Sequence, residues 1–143
     1  MTQSKTDSWA TFFKTFQRLH QGMELELKKK KLPSLEIYDV LWSLENAPHH
    51  ELRFYELADK VYLAKFNISR ICQRLIKKGW IEKRTCPLDG RGYYAKITSM
   101  GLKMRKKIWE TYGKNINENY SQRLNQREHK QLMMLLEKVI KMP

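Results

Sequence analysis

The chain has 143 residues, 41% hydrophobic and 30% charged, which suffices for one core and argues against several independent domains. Its 28 lysines and arginines against 15 aspartates and glutamates give a net charge of +13. That balance disfavours cationic partners and favours polyanions, nucleic acid first and an anionic membrane surface second.

Residues 1–7 are polar and predicted to fray. From Trp9 onward, Trp9, Phe12, Phe13, Phe16, Leu19, Met23 and Leu27 recur at helical spacing. The predicted helix closes on Lys28-Lys29-Lys30-Lys31, cations suited to the negative end of its dipole. Its first two turns crowd in more aromatics than one stripe needs. Either an ordinary core or a second chain covers them, and the second chain is the reading taken here. Pro33-Ser34 breaks this helix and starts another, with Ser34 as N-cap and Leu35, Tyr38, Leu41, Trp42 and Leu44 as its buried stripe. Asn46-Ala47-Pro48 stops it. Leu52-Arg53-Phe54 reads as a small edge strand, and 55–61 as a short helix with Leu57, Ala58 and Val61 facing inward.

Residues 65–79 separate two kinds of surface. Ile68, Ile71, Cys72, Leu75 and Ile76 keep one helical face apolar, while Lys65, Asn67, Ser69, Arg70 and Arg74 between them are nearly all hydrogen-bond donors. Gly79 ends the helix where a left-handed residue is easiest for glycine. From residue 60 to 94 there are nine lysines and arginines against two acids, so a quarter of the chain carries over half of its net charge. A helix with an apolar back and a basic, amide-bearing front suits a duplex major groove. Asn67 and Arg70 are candidate base contacts, because asparagine pairs with adenine edges and arginine with guanine; the bland reading is a solvated helix face. Lys77, Lys78, Lys83 and Arg84 are candidate phosphate contacts, which supply affinity and salt dependence without sequence preference.

Two strands follow, at 81–86 and 92–97, joined by a turn-rich loop whose tip is Asp89-Gly90-Arg91-Gly92. An arginine flanked by glycines suits a narrow minor groove, unless this is merely a flexible hairpin tip. Thr98 caps a long helix containing Met100, Met104, Ile108, Trp109, Tyr112 and Ile116. Asn125-Gln126-Arg127-Glu128 is of capping-box type and opens a last helix, where Leu132, Met133, Leu135, Leu136, Val139 and Ile140 occupy more than one stripe. A terminal helix apolar on two faces usually buries one of them in another subunit.

In order and spacing, these pieces resemble the MarR-type winged-helix regulators (the multiple-antibiotic-resistance regulator family) from about residue 9 to 141. The motifs that carry the resemblance are Glu56-Leu57-Ala58, Ile68-Ser69-Arg70-Ile71 through Leu75, and Lys78-Gly79-Trp80-Ile81-Glu82-Lys83. Asp89-Gly90-Arg91, Ile97-Thr98-Ser99-Met100-Gly101 and the ending from Leu124-Asn125 to Leu135-Leu136 complete the set. The resemblance implies a mostly helical winged helix-turn-helix with a small antiparallel β-hairpin wing. Segments 9–31 and 99–141 would be dimerisation helices, and 34–98 the winged-helix DNA-binding lobe. It further implies a homodimeric, sequence-specific transcription regulator, read here as a repressor on a pseudo-palindromic operator of double-stranded DNA.

Residue by residue, the resemblance implies that Lys65, Phe66, Asn67, Ser69, Arg70 and Arg74 face the major groove or its phosphates. Arg91 would reach the minor groove while Asp89 braces the wing. The sequence departs from the family's pattern at Ala64, where serine or another cap is usual, at Tyr55, where a serine or threonine cap is common, and at Phe66, which replaces a small polar residue. Phe66 could meet a thymine methyl or fold back onto the protein.

Many members of the family bind small aromatic or anionic effectors, for which Phe13, Phe16, Gln17, His20, Trp42 and Trp109 are the candidates here; ordinary packing at a dimer seam is the other reading. Cys72 and Cys86 read as structural cysteines rather than redox sensors, and both fit a reducing compartment. His20, His49, His50 and His129 lack a metal-ligand spacing, so no metal or other cofactor is expected. No phosphate-cradling loop, nucleophile elbow or HExxH points to catalysis. No apolar run approaches spanning length and the N-terminus has no h-region, so a cytoplasmic, nucleoid-associated protein is expected. The competing functions are a winged helix that docks on a protein partner, and an architectural DNA binder without an effector.

Overall fold

The computed structural model describes residues 5–85 and 92–141. Its elements run α1 (Lys5–Lys29), α2 (Leu35–Glu45), a 3-10 turn (Pro48–His50), β1 (Glu51–Arg53), α3 (Phe54–Lys60) and α4 (Ile68–Lys77). After these come β2 (Ile81–Thr85), β3 (Tyr93–Ile97), α5 (Ser99–Asn119), a second 3-10 turn (Ser121–Arg123) and α6 (Gln126–Ile140). Among the described residues this is the mostly helical, small-sheet architecture that the sequence predicts. The chain divides into two compact units, one of residues 24–111 and one of residues 1–23 with 112–143.

The 24–111 unit holds most of the buried apolar side chains. Leu27, Leu41, Leu44, Leu57, Leu75, Ile81 and Ile108 are essentially without solvent contact. α1 starts at Lys5, so residues 5–7 are helical rather than frayed. It ends with Lys31 at φ 57, in the left-handed region, where the Lys31 amide donates to the Lys28 carbonyl at 3.0 Å and the Leu32 amide to that of Leu27 at 2.9 Å. Ser34 stands at the N-cap of α2, but its side chain makes no capping bond. A carboxylate oxygen of Glu24 accepts from the Leu35 amide instead, at 2.7 Å. The expected serine cap is thus replaced by a glutamate from the preceding helix.

β1, β3 and β2 lie in that order in one antiparallel sheet. Its register pairs Leu52 with Ala95 on one side of β3 and Lys83 with Ala95 on the other. β1 takes Glu51 to Arg53 and leaves Phe54 to the next helix. Tyr55 is not the cap of α3: Arg53 holds that position, and its amide donates to the Glu56 carboxylate at 3.1 Å.

The joint between α4, the sheet and α5 rests on two glycines. Gly79, at φ 77, lets α4 close with the Gly79 amide donating to Ile76 and the Trp80 amide to Leu75, both at 3.0 Å. The Trp80 carbonyl accepts from the Thr98 amide at 3.0 Å, and the Thr98 hydroxyl donates to the Gly79 carbonyl. That hydroxyl also accepts from the Gly101 amide at 3.1 Å, so the predicted Thr98 cap is present. Gly101 passes so close to the Trp80 carbonyl that no β-carbon fits between them. Replacing it forces α5 away from the end of α4. Gly101→Ala is expected to lower unfolding free energy by about 1–3 kcal/mol, measured by urea denaturation; an unchanged midpoint contradicts the close approach.

Candidate nucleic-acid interface

Side-chain period decides what α4 shows to solvent. Ile68, Ile71, Cys72 and Leu75 are buried, and Ser69, Arg70, Gln73, Arg74 and Lys77 are exposed. Among the described residues no salt bridge engages Arg70, Arg74, Lys65 or Lys77. The front of the helix is therefore a row of uncompensated cations and amides. Gln73 belongs to that row and was missed as a candidate; its spacing from Ser69, Arg70 and Lys77 is the signal that could have found it.

The helix is shorter at its start than the sequence reading placed it. Lys65, Phe66 and Asn67 form a turn before α4, and Asn67, not Ala64, is the N-cap. The physical reason is that Ala64 is buried and accepts from the Asn67 amide at 3.2 Å, which closes a turn. Helical bonding begins with Asn67, whose carbonyl accepts from the Ile71 amide at 2.9 Å. The Asn67 side chain makes no capping bond. Phe66 does not fold back: it is 98% exposed.

A carboxylate on α2 holds this turn in place. One oxygen of Asp39 accepts from the amides of Tyr62 and Leu63, at 2.7 and 2.8 Å. Sequence reading passed over Asp39 because its partners lie 23 and 24 residues away. Since α4 follows directly, Asp39 ties the start of the cationic helix to α2.

The two strands offer a second group of cations. Lys83 lies over the Tyr93 ring at 4.6 Å, and Lys78 over the Trp80 ring at 4.9 Å. Arg84 is less free than a phosphate contact would be. It donates to both carboxylate oxygens of Glu51 at 2.9 and 3.1 Å and stacks on Tyr94 at 4.4 Å. Its hydrogen bonds and charge hold the Glu51 carboxyl below its usual value. Asp89, Arg91 and Cys86 lie outside the described residues.

Residues 34–93, which contain α2 to β2 and the start of β3, match the model of the MarR family. That segment is a MarR family domain. The multiple antibiotic resistance protein MarR of Escherichia coli (strain K12) is 30% identical over 73 residues, covering 51% of this chain and 51% of that protein. The transcriptional repressor MprA of the same organism is 28% identical over 92 residues, covering 62% of this chain and 52% of that protein. The chain thus spans about half the length of the curated relatives it matches. In three dimensions it is similar to the MarR family transcriptional regulator Sco3205 from Streptomyces coelicolor, solved in complex with DNA. The TM-score is 0.87 at 23% identity, over 100% of this chain and 91% of that one. AbsC, a MarR family transcriptional regulator from the same organism, gives 0.86 at 20% identity, over 99% and 95%. At such identities the likeness is one of fold.

The effector candidates divide between the two units. Trp109 stacks on Tyr38 at 6.1 Å in the 24–111 unit, where Trp42 is exposed. Phe13, Phe16, Gln17 and His20 belong to the terminal unit, where Phe16 stacks on His20 at 5.6 Å. Two other histidines have structural work: ring nitrogens of His50 and His129 lie 2.8 Å from the carbonyls of Glu45 and Ser121.

Cys72 is fully buried in the core of the 24–111 unit, and burial pushes its thiol from 9.0 up to about 11. Because the buried thiolate is what burial penalises, this group leaves stability unchanged at pH values below 9.0 and lowers it as pH rises from 9.0 through about 11. At pH 8, iodoacetamide is expected to leave Cys72 unmodified in the native protein and to label it once unfolded, as read by peptide mass spectrometry. Labelling of the native protein contradicts the burial. Asp39→Ala strips the two turn amides of their acceptor and is expected to lower stability by about 1–3 kcal/mol in urea unfolding. A change within a few tenths would mean that water replaces the carboxylate.

Proposed function

We propose that this chain is a homodimeric transcription regulator that binds double-stranded DNA, reads bases with α4 and the turn before it, and acts as a repressor. The observation that carries the reading is the α4 front itself: Ser69, Arg70, Gln73, Arg74 and Lys77 exposed and, among the described residues, without acidic partners. Such a surface next to a buried apolar face matches what a major groove accepts, donors for base edges flanked by cations for phosphates. Asn67, Ser69, Arg70 and Gln73 are assigned to bases. Lys65, Arg74, Lys77, Lys78 and Lys83 are assigned to phosphates, with Arg84 contributing less because Glu51 already compensates it. Arg91 is assigned to the minor groove on sequence grounds alone. The relatives support this reading through a repressor among the curated proteins and Sco3205 in its complex with DNA.

Dimerisation is inferred from what the terminal unit fails to cover. Trp9, Phe12, Phe13 and Phe16 on α1 are about half exposed, and α6 buries no residue while presenting Met133, Met134, Leu135, Val139 and Ile140 to solvent. So much apolar surface marks a protein interface rather than a solvated face. A cavity of about 820 Å³ in this unit is lined by Phe12, Phe16, Leu19, Tyr120, Leu132 and Leu136 among others. A second copy of the terminal helices would fill such a space.

Two measurements test the reading. In anisotropy titrations against duplexes selected from a random pool, Arg70→Ala is expected to weaken the best site by about 5- to 150-fold and to relax its sequence preference. Lys77→Ala should weaken all duplexes alike and reduce the salt slope by about one. Salt-insensitive binding, or no preference over random duplex, contradicts the proposal. In sedimentation, the wild type is expected as a dimer and Leu135→Glu with Val139→Glu as a monomer; a monomeric wild type removes the dimer.

A further inference from the structure

Phe66 has a placement that neither folding nor generic phosphate binding explains. A phenylalanine gains about 1.5–3 kcal/mol when buried, yet this ring is 98% exposed and the protein offers it no cover. An isolated exposed apolar residue needs no explanation on most surfaces. Here the surroundings make one necessary. The ring sits in the turn whose ends are fixed by Asp39 on the Tyr62 and Leu63 amides and by the Asn67 amide on the Ala64 carbonyl. Lys65, Asn67, Ser69 and Arg70 beside it are exposed, and residues 65–81 contain no acid. A protein partner that covered the ring would have to bury or neutralise those cations as well. A polyanionic surface with one apolar feature within reach satisfies both demands.

In a duplex that feature exists. The major groove presents donors and acceptors at every base pair, and its single apolar group is the C5 methyl of thymine. The N-terminal end of a recognition helix is the part that reaches base edges. We propose that Phe66 is a specificity residue whose ring packs on a thymine methyl, so that each half-site prefers thymine over uracil or cytosine at one position. This inference rests on the reading of α4 as a DNA-reading helix.

The experiment begins with a duplex selected by the wild-type protein from a random pool. Each thymine is then replaced in turn by deoxyuridine, which removes the methyl and leaves Watson–Crick pairing intact. One position per half-site is expected to lose about fourfold in affinity per methyl, the worth of one buried carbon. Phe66→Ala should bind the thymine and deoxyuridine duplexes equally, and Phe66→Leu should recover part of the discrimination. Because the ring is exposed, these variants are expected to unfold at the wild-type midpoint.

A deoxyuridine penalty that persists in Phe66→Ala, or no penalty at any position in the wild type, overturns the inference and assigns the ring to another contact, such as a protein. In either case sequence-specific DNA binding by the chain stands, because a preferred duplex was still selected, and the role of α4 rests on the Arg70→Ala titration. Selection of no duplex by the wild type overturns that role and this inference together.

Discussion

Burial of Ile68, Ile71, Cys72 and Leu75 sets the rotation of α4 about its own axis. Once those four side chains enter the core, helical geometry leaves Ser69, Arg70, Gln73, Arg74 and Lys77 no direction but outward. No residue on the front needs to be individually steered. The cost of turning the helix is the exposure of four core side chains, of which Ile68, Ile71 and Leu75 are each worth on the order of 1.5–3 kcal/mol. Repulsion among cations on one face is small beside that. The same packing that stabilises the unit therefore also concentrates positive charge on one side of it.

Rotation alone does not fix where the helix begins and ends. At its start, Asp39 gathers the Tyr62 and Leu63 amides, and the turn from Ala64 to Asn67 closes against a buried alanine. At its end, Gly79 and Trp80 close the last turn, and Thr98 and Gly101 attach that closure to the first turn of α5. Both ends of α4 are thus anchored to helices of the same unit. Such a mounting suits an element proposed to hold side chains against base edges, where small displacements break bidentate contacts. The terminal unit shows the opposite balance, with apolar side chains on the outside and little buried within. On the proposed reading, one unit supplies charge for DNA and the other supplies apolar surface for a second chain.

Much of this was legible because it depends on short-range patterns. The apolar spacing of 68, 71, 72 and 75, the glycine at 79, the threonine at 98 and the Asn125–Glu128 capping box all act within one helical turn. What escaped the sequence acts across it. Asp39 reaches amides more than 20 residues away, Glu24 rather than Ser34 caps α2, and Glu51 claims Arg84 from another strand. The start of α4 was placed too early for a similar reason. Lys65, Phe66 and Asn67 read as a continuation of the helix until the burial of Ala64 closes a turn there. Gln73 was overlooked although its position follows from the same period that identified Arg70 and Arg74.

The most direct test of the account is the pattern of groove contact on a selected duplex, read by dimethyl sulfate methylation at guanine N7 together with hydroxyl-radical footprinting of the backbone. Two copies of α4 are expected to protect major-groove positions in two half-sites about one helical turn apart, roughly 10 base pairs between centres. Protection confined to a single half-site, or a backbone footprint with every guanine N7 left reactive at sites containing guanine, would contradict it.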